Sequence, residues 1–441
     1  AIRTPVYAVS GWADGYTDSV LRLLAGLNVP CKGLIGPWSH AHPNMALPGP
    51  AIGFLAECVR WFDHWLKESP TGIMAEPALR LWMTESCPPD PARTETPGRW
   101  VADARWPSPN VSEQSLVIGR SALASSADST GMAAVPVRTP VGGALDQGAW
   151  CAYRFGPDLP GDQRRDDGGT FVVDSATLAE RTEICGFPAA DLLVTADGPV
   201  AQLAVRLSDV RPDGSVTRIT YGVLNLTHRE SHAEPAPLTP GQPCRVRISL
   251  HAIAYALPAG HRLRLAIGTD FWPITWPTPA PVEVRVRAGE STLELPIRES
   301  DGATDSMAPF GAPDGAPGER WRHETHPAYR WTTWHDRGEH TRGLTVVSDS
   351  GRLTLPDRGV SVREHDVQHH WVAQGDPSRV GAEIRGRREL RGQGWSLATC
   401  THTVLTADDA HFSVTASCEA YDGDQHLASH TWNTRIARDL L

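Results

Sequence analysis

The chain has 441 residues, 40% hydrophobic and 21% charged, and a formal net charge of -10, which suits a soluble globular protein of two or three domains. That charge, with no basic stripe to offset it, excludes a nucleic-acid binder, and no apolar run approaches the roughly 18 residues of a membrane span. Cysteines 31, 58, 87, 151, 185, 244, 400 and 418 are scattered without a C-x-x-C pair, so free thiols in a reducing, cytoplasmic compartment are expected.

Residues 4–44 read as strand, loop, helix, strand, loop. Pro5 to Val9 is an apolar run closed by Ser10-Gly11, as expected of a strand buried on both faces. Thr17 and Asp18 suit a helix start, and Val20, Leu21, Leu24 and Leu27 recur at helical spacing. Cys31 to Ile35 is a second apolar run, closed by Gly36-Pro37. This predicts a βαβ unit with parallel strands and a right-handed crossover. Working residues in such sheets lie just beyond the carboxyl ends of the strands. Asp14 and His40 occupy those two places. An Asp there can hold a His in one tautomer and stabilise the imidazolium formed when it takes a proton.

The strings GWADGY and GPWSH resemble the Asp and His segments of the cocaine esterase / α-amino-acid ester hydrolase / X-Pro dipeptidyl-peptidase family, which are α/β-hydrolases. The resemblance implies that Asp14 is the triad acid and His40 the triad base. His42 competes as base but lies outside the matched GPWSH string. Trp12, Tyr16 and Trp38 flank these residues and are candidates for lining an acyl pocket, with fold packing as the alternative use.

On that fold the triad runs Ser, then Asp or Glu, then His, with the Ser in a G-x-S-x-G elbow. No such elbow occurs anywhere in this sequence. The nucleophile, and the oxyanion donor that accompanies it, are therefore expected from an upstream hydrolase segment or a partner chain. The start, AIRTPVYAV, is neither a Met nor a charged-then-apolar leader, and a cut inside a longer chain fits that expectation.

From Ala51 to Lys67 the apolar positions 51, 55, 58, 62 and 65 predict a helix, with Trp61, Phe62 and Trp65 as core. Leu79 to Met83 is strand-like, while residues 88–148, rich in Pro, Ser, Gly and Ala, read as long surface connections. From Thr170 the period is two: Phe171 to Val173, Leu192 to Val194, Leu203 to Leu207, Val246 to Leu250, Leu263 to Ile267, Val282 to Val286 and Leu293 to Ile297 predict an antiparallel sandwich. The strings DQRRDDGG, RLSDVRPDGSVTRITYGVLNLTHR and LPAGHRLRLAIGTDFWPITWPTP resemble the jelly-roll domain that follows the hydrolase domain in the same family.

The expected organisation is an α/β-hydrolase C-terminal end over 1–75, a jelly-roll β-sandwich over 76–300, a linker over 301–327 and a further antiparallel β region over 328–441, mostly β overall. His365 and His369 superficially match a zinc-hydrolase helix motif, and Gly394 to Ala398 a nucleophile elbow. Both fall in β-patterned sequence, where neither chemistry works. Trp272 and Trp276, set among prolines, are assigned to core or interface packing. No metal site and no cofactor are expected. The partners expected are a small ester or amide substrate and the segment that carries the Ser, with a homo-oligomer open. The leading reading is a serine acyl hydrolase. Its rival is a non-catalytic β-sandwich binding module carrying a vestigial hydrolase fragment.

Overall fold

The computed structural model describes residues 2–126, 132–153, 156–299, 310–315 and 321–441. Strand β1 (Val6–Gly11) runs into helix α1 (Asp18–Gly26) and strand β2 (Cys31–Gly36), and the two strands pair in parallel from Val6↔Cys31 to Gly11↔Gly36. Helix α2 (Phe54–Lys67) follows, then strand β3 (Leu79–Glu85), which lies parallel to β2 on its far side. Strand β4 (Gly98–Asp103) turns back antiparallel to β3. β1 pairs only with β2 among the described residues.

Helix α2 begins three residues later than its apolar pattern suggests. Glu57 and Trp61 face inward, Trp61 lying 5.3 Å from the Tyr7 ring. Phe62, expected in the core, is 55% exposed, and Leu55, Val59 and Leu66 share its outward face. The apolar stripe therefore wraps wider than one buried face. Glu57 pins the helix to the sheet: its carboxylate accepts from Arg80 at 2.5 Å and from Arg60 at 2.7 Å. Burial acts to raise the Glu57 carboxyl, but Arg80 and Arg60 together outweigh it and hold it below the usual range.

Residues 88–148 do not simply connect. They contain β4 and the strands Val111–Ile118, Ala122–Ala124 and Ala133–Val137, which pair with residues of the large β assembly. Ala122–Ala124 is too short, and Ala133–Val137 too interrupted by Pro136, to register as a period, and Val111–Ile118 carries polar residues in its middle (SEQS). The expected strands between 171 and 298 form, and their inward residues, among them Leu192, Val205, Val246, Leu265, Val284 and Leu293, make one large core. Strand Gln202–Val210 is buried on both faces rather than one. Its second face carries Arg206, which donates to Gln163 Oε1 at 3.0 Å and to Asp167 Oδ1 at 2.9 Å. Parallel pairing of Thr84–Glu85 with Tyr255–Ala256 joins β3 to this assembly, so the first strands and the later ones share one hydrogen-bonded network.

Fourteen positions of the expected 301–327 linker lie outside the described residues. Of the rest, Phe310 packs on Trp100 at 4.7 Å and the Gly311 carbonyl accepts from Gly53 N–H at 2.7 Å, so this piece lies against the N-terminal unit. Residues 322–437 form an antiparallel meander whose strands reach 17 residues (Asp376–Gly392). It packs on the first assembly through Trp272, buried with Val372, Val380 and Ala407. The chain is thus mostly β, and no helix among the described residues is long and apolar enough to cross a membrane.

Candidate active site

The ends of β1 and β2 continue side by side past the sheet. Trp12 N–H donates to the Gly36 carbonyl at 2.9 Å and Ala13 N–H to that of Trp38 at 3.0 Å. Gly11 is required here, because a Cβ at that position would stand 2.1 Å from the Trp38 oxygen. Asp14 N–H folds back to the Gly11 carbonyl at 2.9 Å, and the Thr17 hydroxyl braces the turn on the Asp14 carbonyl at 2.9 Å.

The turn fixes the Asp14 carboxylate. Its Oδ1 accepts from Tyr16 N–H at 3.0 Å and faces His40 Nδ1 at 3.1 Å, while Oδ2 accepts from the Ser10 hydroxyl at 3.1 Å. A carboxylate can only accept, so Nδ1 carries the ring proton and Nε2 is the basic nitrogen. Nε2 has no partner among the described residues. The Asp14 side chain is 10% exposed and that of His40 is 40% exposed, so the acid is sheltered and the base is open. His40 is placed by its own N–H, which donates to the Ala152 carbonyl at 2.8 Å, and by the Tyr16 and Tyr153 rings at 5.5 and 5.2 Å. His42 is exposed and makes no bond to Asp14, so the structure brings His40 to the acid.

The three aromatic candidates separate. Trp12 lines the cavity beside Asp14, its indole N–H donating to the Trp82 carbonyl at 2.6 Å. Tyr16 is exposed and leans edge-on to Trp150 at 5.4 Å. Trp38 is corrected: it is 1% exposed, packed with Trp100 at 5.9 Å, its N–H donating to the Pro50 carbonyl at 2.8 Å. It is core, because the loop after β2 folds inward at that residue and outward two residues later.

No described serine is bonded to His40. Ser10 lies on the Asp14 side of the pair and Ser39 is buried. Ser396 stands in strand Trp395–Ala407, and His365 and His369 stand in strand Val360–Ala373, where four residues of extended chain set them about 13 Å apart along the strand. The sequence reading missed Trp150, Cys151 and Tyr153, which arrive from a segment with no periodicity or motif to announce it. The Cys151 thiol donates to Asp14 Oδ1 at 3.7 Å, and burial, with the Asp14 charge, pushes that thiol up. Asp14, His40 and Cys151 present ligand-type atoms within 4.8 Å of one another. The cavity wall also carries a second acid–imidazole pair, Asp18 and His251 at 3.0 Å, which ties α1 to the strand Ile253–Leu257. Burial acts to raise Asp18, but the bonds from His251 and the Ala252 N–H outweigh it and hold the carboxyl low.

The chain thus sets an acid–imidazole pair on a β–α–β rim that continues into a large antiparallel β assembly. The chain belongs to the family of the X-Pro dipeptidyl-peptidase C-terminal non-catalytic domain, whose model matches residues 71–309. It is 27% identical over 326 residues to a Mycobacterium bovis protein named as a serine esterase, covering 66% of this chain and 50% of that protein. It is 22% identical over 297 residues to the cocaine esterase of a Rhodococcus species, covering 62% of this chain and 50% of that enzyme. The chain therefore spans about half the length of the curated relatives it matches. A solved α-amino-acid ester hydrolase superposes over 68% of this chain and 56% of its own with a TM-score of 0.54; at 18% identity that likeness speaks for the fold alone. Asp14 and His40 lie outside the 71–309 match, and Cys151 lies within it.

Proposed function

We propose that this chain is the C-terminal part of a serine hydrolase acting on esters or amides of small acyl groups. Asp14 is its orienting acid and His40 its general base. The observation that carries the reading is the 3.1 Å bond between Asp14 Oδ1 and His40 Nδ1, set at the ends of adjacent parallel strands. In this reading a serine outside the present sequence lies within reach of His40 Nε2. The imidazole takes the serine proton as the hydroxyl attacks the acyl carbon, then returns it to the departing alcohol or amine. Asp14 holds the tautomer and stabilises the imidazolium formed in between. In this reading residues 1–75 form the end of an α/β-hydrolase domain, and residues 76–300 form its companion jelly roll. The eight cysteines, all unpaired, support a reducing, cytoplasmic setting.

A second reading is kept because the matched family domain is described as non-catalytic: a binding module with a vestigial hydrolase rim. A fluorophosphonate probe separates the two. The 441-residue chain should not label, whereas the full-length protein with its upstream segment should label at one serine there. His40→Ala in the full-length protein should abolish labelling. Labelling of the isolated chain at Ser396 or elsewhere would overturn the assignment, and a full-length protein that never labels would favour the binding module.

A further inference from the structure

We propose that Asp14, His40 and Cys151 form a zinc-binding site superimposed on the acid–imidazole pair, so that zinc silences the base. Zinc is held by carboxylate, imidazole and thiolate ligands in tetrahedral sites, at about 2.0–2.2 Å for O or N and about 2.3 Å for S. Those bond lengths place neighbouring ligand atoms about 3.4 Å apart for N and O, and about 3.6 Å apart for S and O. Here His40 Nδ1 and Asp14 Oδ1 stand 3.1 Å apart, and Cys151 Sγ and Asp14 Oδ1 stand 3.7 Å apart. The remaining pair, Nδ1 and Sγ, is within 4.8 Å. Two edges of the coordination polyhedron are thus already in place.

The thiol has no evident task in the acid–imidazole pair itself. Asp14 Oδ1 already receives the Tyr16 N–H as well as the imidazole, and Oδ2 is met by Ser10. A soft sulfur nonetheless lies against that carboxylate, delivered by a segment far downstream. The site is reachable, since His40 is 40% exposed on its side chain. Three protein ligands leave the fourth position to water. The donor set, one S, one N and one O, selects zinc or another borderline metal over calcium or magnesium, which require oxygen.

Proton balance gives the consequence. Zinc takes Nδ1 and displaces the proton held there to solvent, Nε2 takes one up from solvent so that the ring stays neutral, and the Cys151 thiol releases one proton to solvent as the Zn–S bond forms, a net release of one proton. A ring protonated at Nε2 cannot accept a proton from a nucleophile. This inhibition rests on the hydrolase reading above, whereas the binding does not. Because the thiol must lose its proton to bind zinc, binding should strengthen as pH rises.

The 441-residue chain is titrated with zinc against a chromophoric chelator, and with cobalt while thiolate-to-cobalt charge-transfer absorption is followed. One equivalent should bind and the thiolate band should appear. Cys151→Ser should abolish the band, and both C151S and H40A should weaken zinc binding by at least about tenfold, the least expected when a ligand rather than its support is removed. Cys400→Ser should leave both unchanged, and a matched urea midpoint shows that each variant is folded. Absence of the band, or zinc affinity indifferent to C151S, overturns the site. In the full-length protein, zinc should reversibly inhibit ester hydrolysis, and C151S should resist when compared with its own zinc-free rate. Hydrolysis that persists in the zinc-loaded form overturns the inhibitory role. A full-length protein with no hydrolysis to inhibit overturns that role along with the hydrolase reading, while the cobalt spectrum still decides the site.

Discussion

Ala13 N–H donates to the Trp38 carbonyl at 3.0 Å, and this bond, beyond the last sheet pair Gly11↔Gly36, brings the acid-bearing and base-bearing loops to one place. The sheet thereby sets the spacing of the two loops, and the loops contribute only the final turn that aims each side chain. A site built this way depends on backbone contact before it depends on any charge.

Gly11→Ala should test that dependence. Its new Cβ would fall 2.1 Å from the Trp38 oxygen, a contact that backbone can relieve only by moving. Overpacking of this kind costs about 1–3 kcal/mol, so the urea midpoint of the chain should fall accordingly. An unchanged midpoint would show that the two loops are not locked to each other.

Asp14→Asn should separate orientation from stability. With its oxygen in the Oδ2 place the amide still accepts from Ser10, while its NH2 in the Oδ1 place gives up the Tyr16 N–H, offers N–H to His40 Nδ1 and so favours the tautomer protonated at Nε2. In the full-length protein kcat should drop by about 10⁴ with KM little changed, the loss seen when a triad acid is neutralised without moving it. A loss under tenfold would remove Asp14 from the mechanism.

Trp38 and Tyr16 should behave oppositely. Trp38→Ala empties a site that is 1% exposed and should cost about 3–5 kcal/mol in chain stability. Tyr16→Ala removes a ring that is 54% exposed and should change stability by less than about 0.5 kcal/mol, because its N–H still binds Asp14. If the ring meets substrate, its loss should raise KM in the full-length protein. Equal stability losses would contradict the division between core and rim.

Much of this architecture could be read from pattern. The apolar runs around Val9 and Leu34 sit on both sides of one amphipathic helix, which leaves few alternatives to a parallel pair. Strands such as Ala189–Ala196, Cys244–Ser249 and Val284–Ala288 alternate because one face of each meets a common core. Strands between Gly98 and Val137 escaped because segments such as Ala122–Ala124, three residues long, and Ala133–Val137, which carries Pro136, are stabilised by their pairing partners rather than by their own composition. Phe62 escaped for the opposite reason: an apolar residue at the right helical position carries no mark saying which neighbour, if any, covers it. Cys151 could not be found at all, since its place beside Asp14 depends on loop path and on the bond from His40 N–H to the Ala152 carbonyl.

Asp270 makes stability depend on pH in a predictable direction. It is buried at the junction of the two β assemblies, where Oδ2 accepts from Gly142 N–H at 2.9 Å and Trp272 N–H at 3.4 Å. Burial pushes its carboxyl up to about 7, outweighing those N–H groups and the Arg342 guanidinium, which act to lower it. Well below pH 4 the proton is held in both folded and unfolded chains and Asp270 carries no pH-dependent penalty. Between about 4 and 7 the unfolded chain releases the proton while the folded chain keeps it, so stability falls as pH rises, by up to about 1.4 kcal/mol per unit. Above about 7 the penalty is complete and constant. Asp166, also pushed up to about 7 by burial, adds a slope of the same sign, so the readout is the difference between wild type and Asp270→Asn. Urea midpoints taken at half-unit steps from pH 4 to 8 should show wild type losing stability relative to D270N up to about pH 7, then running parallel to it. Curves parallel throughout would mean that Asp270 titrates alike in both states and that its burial costs the folded chain nothing.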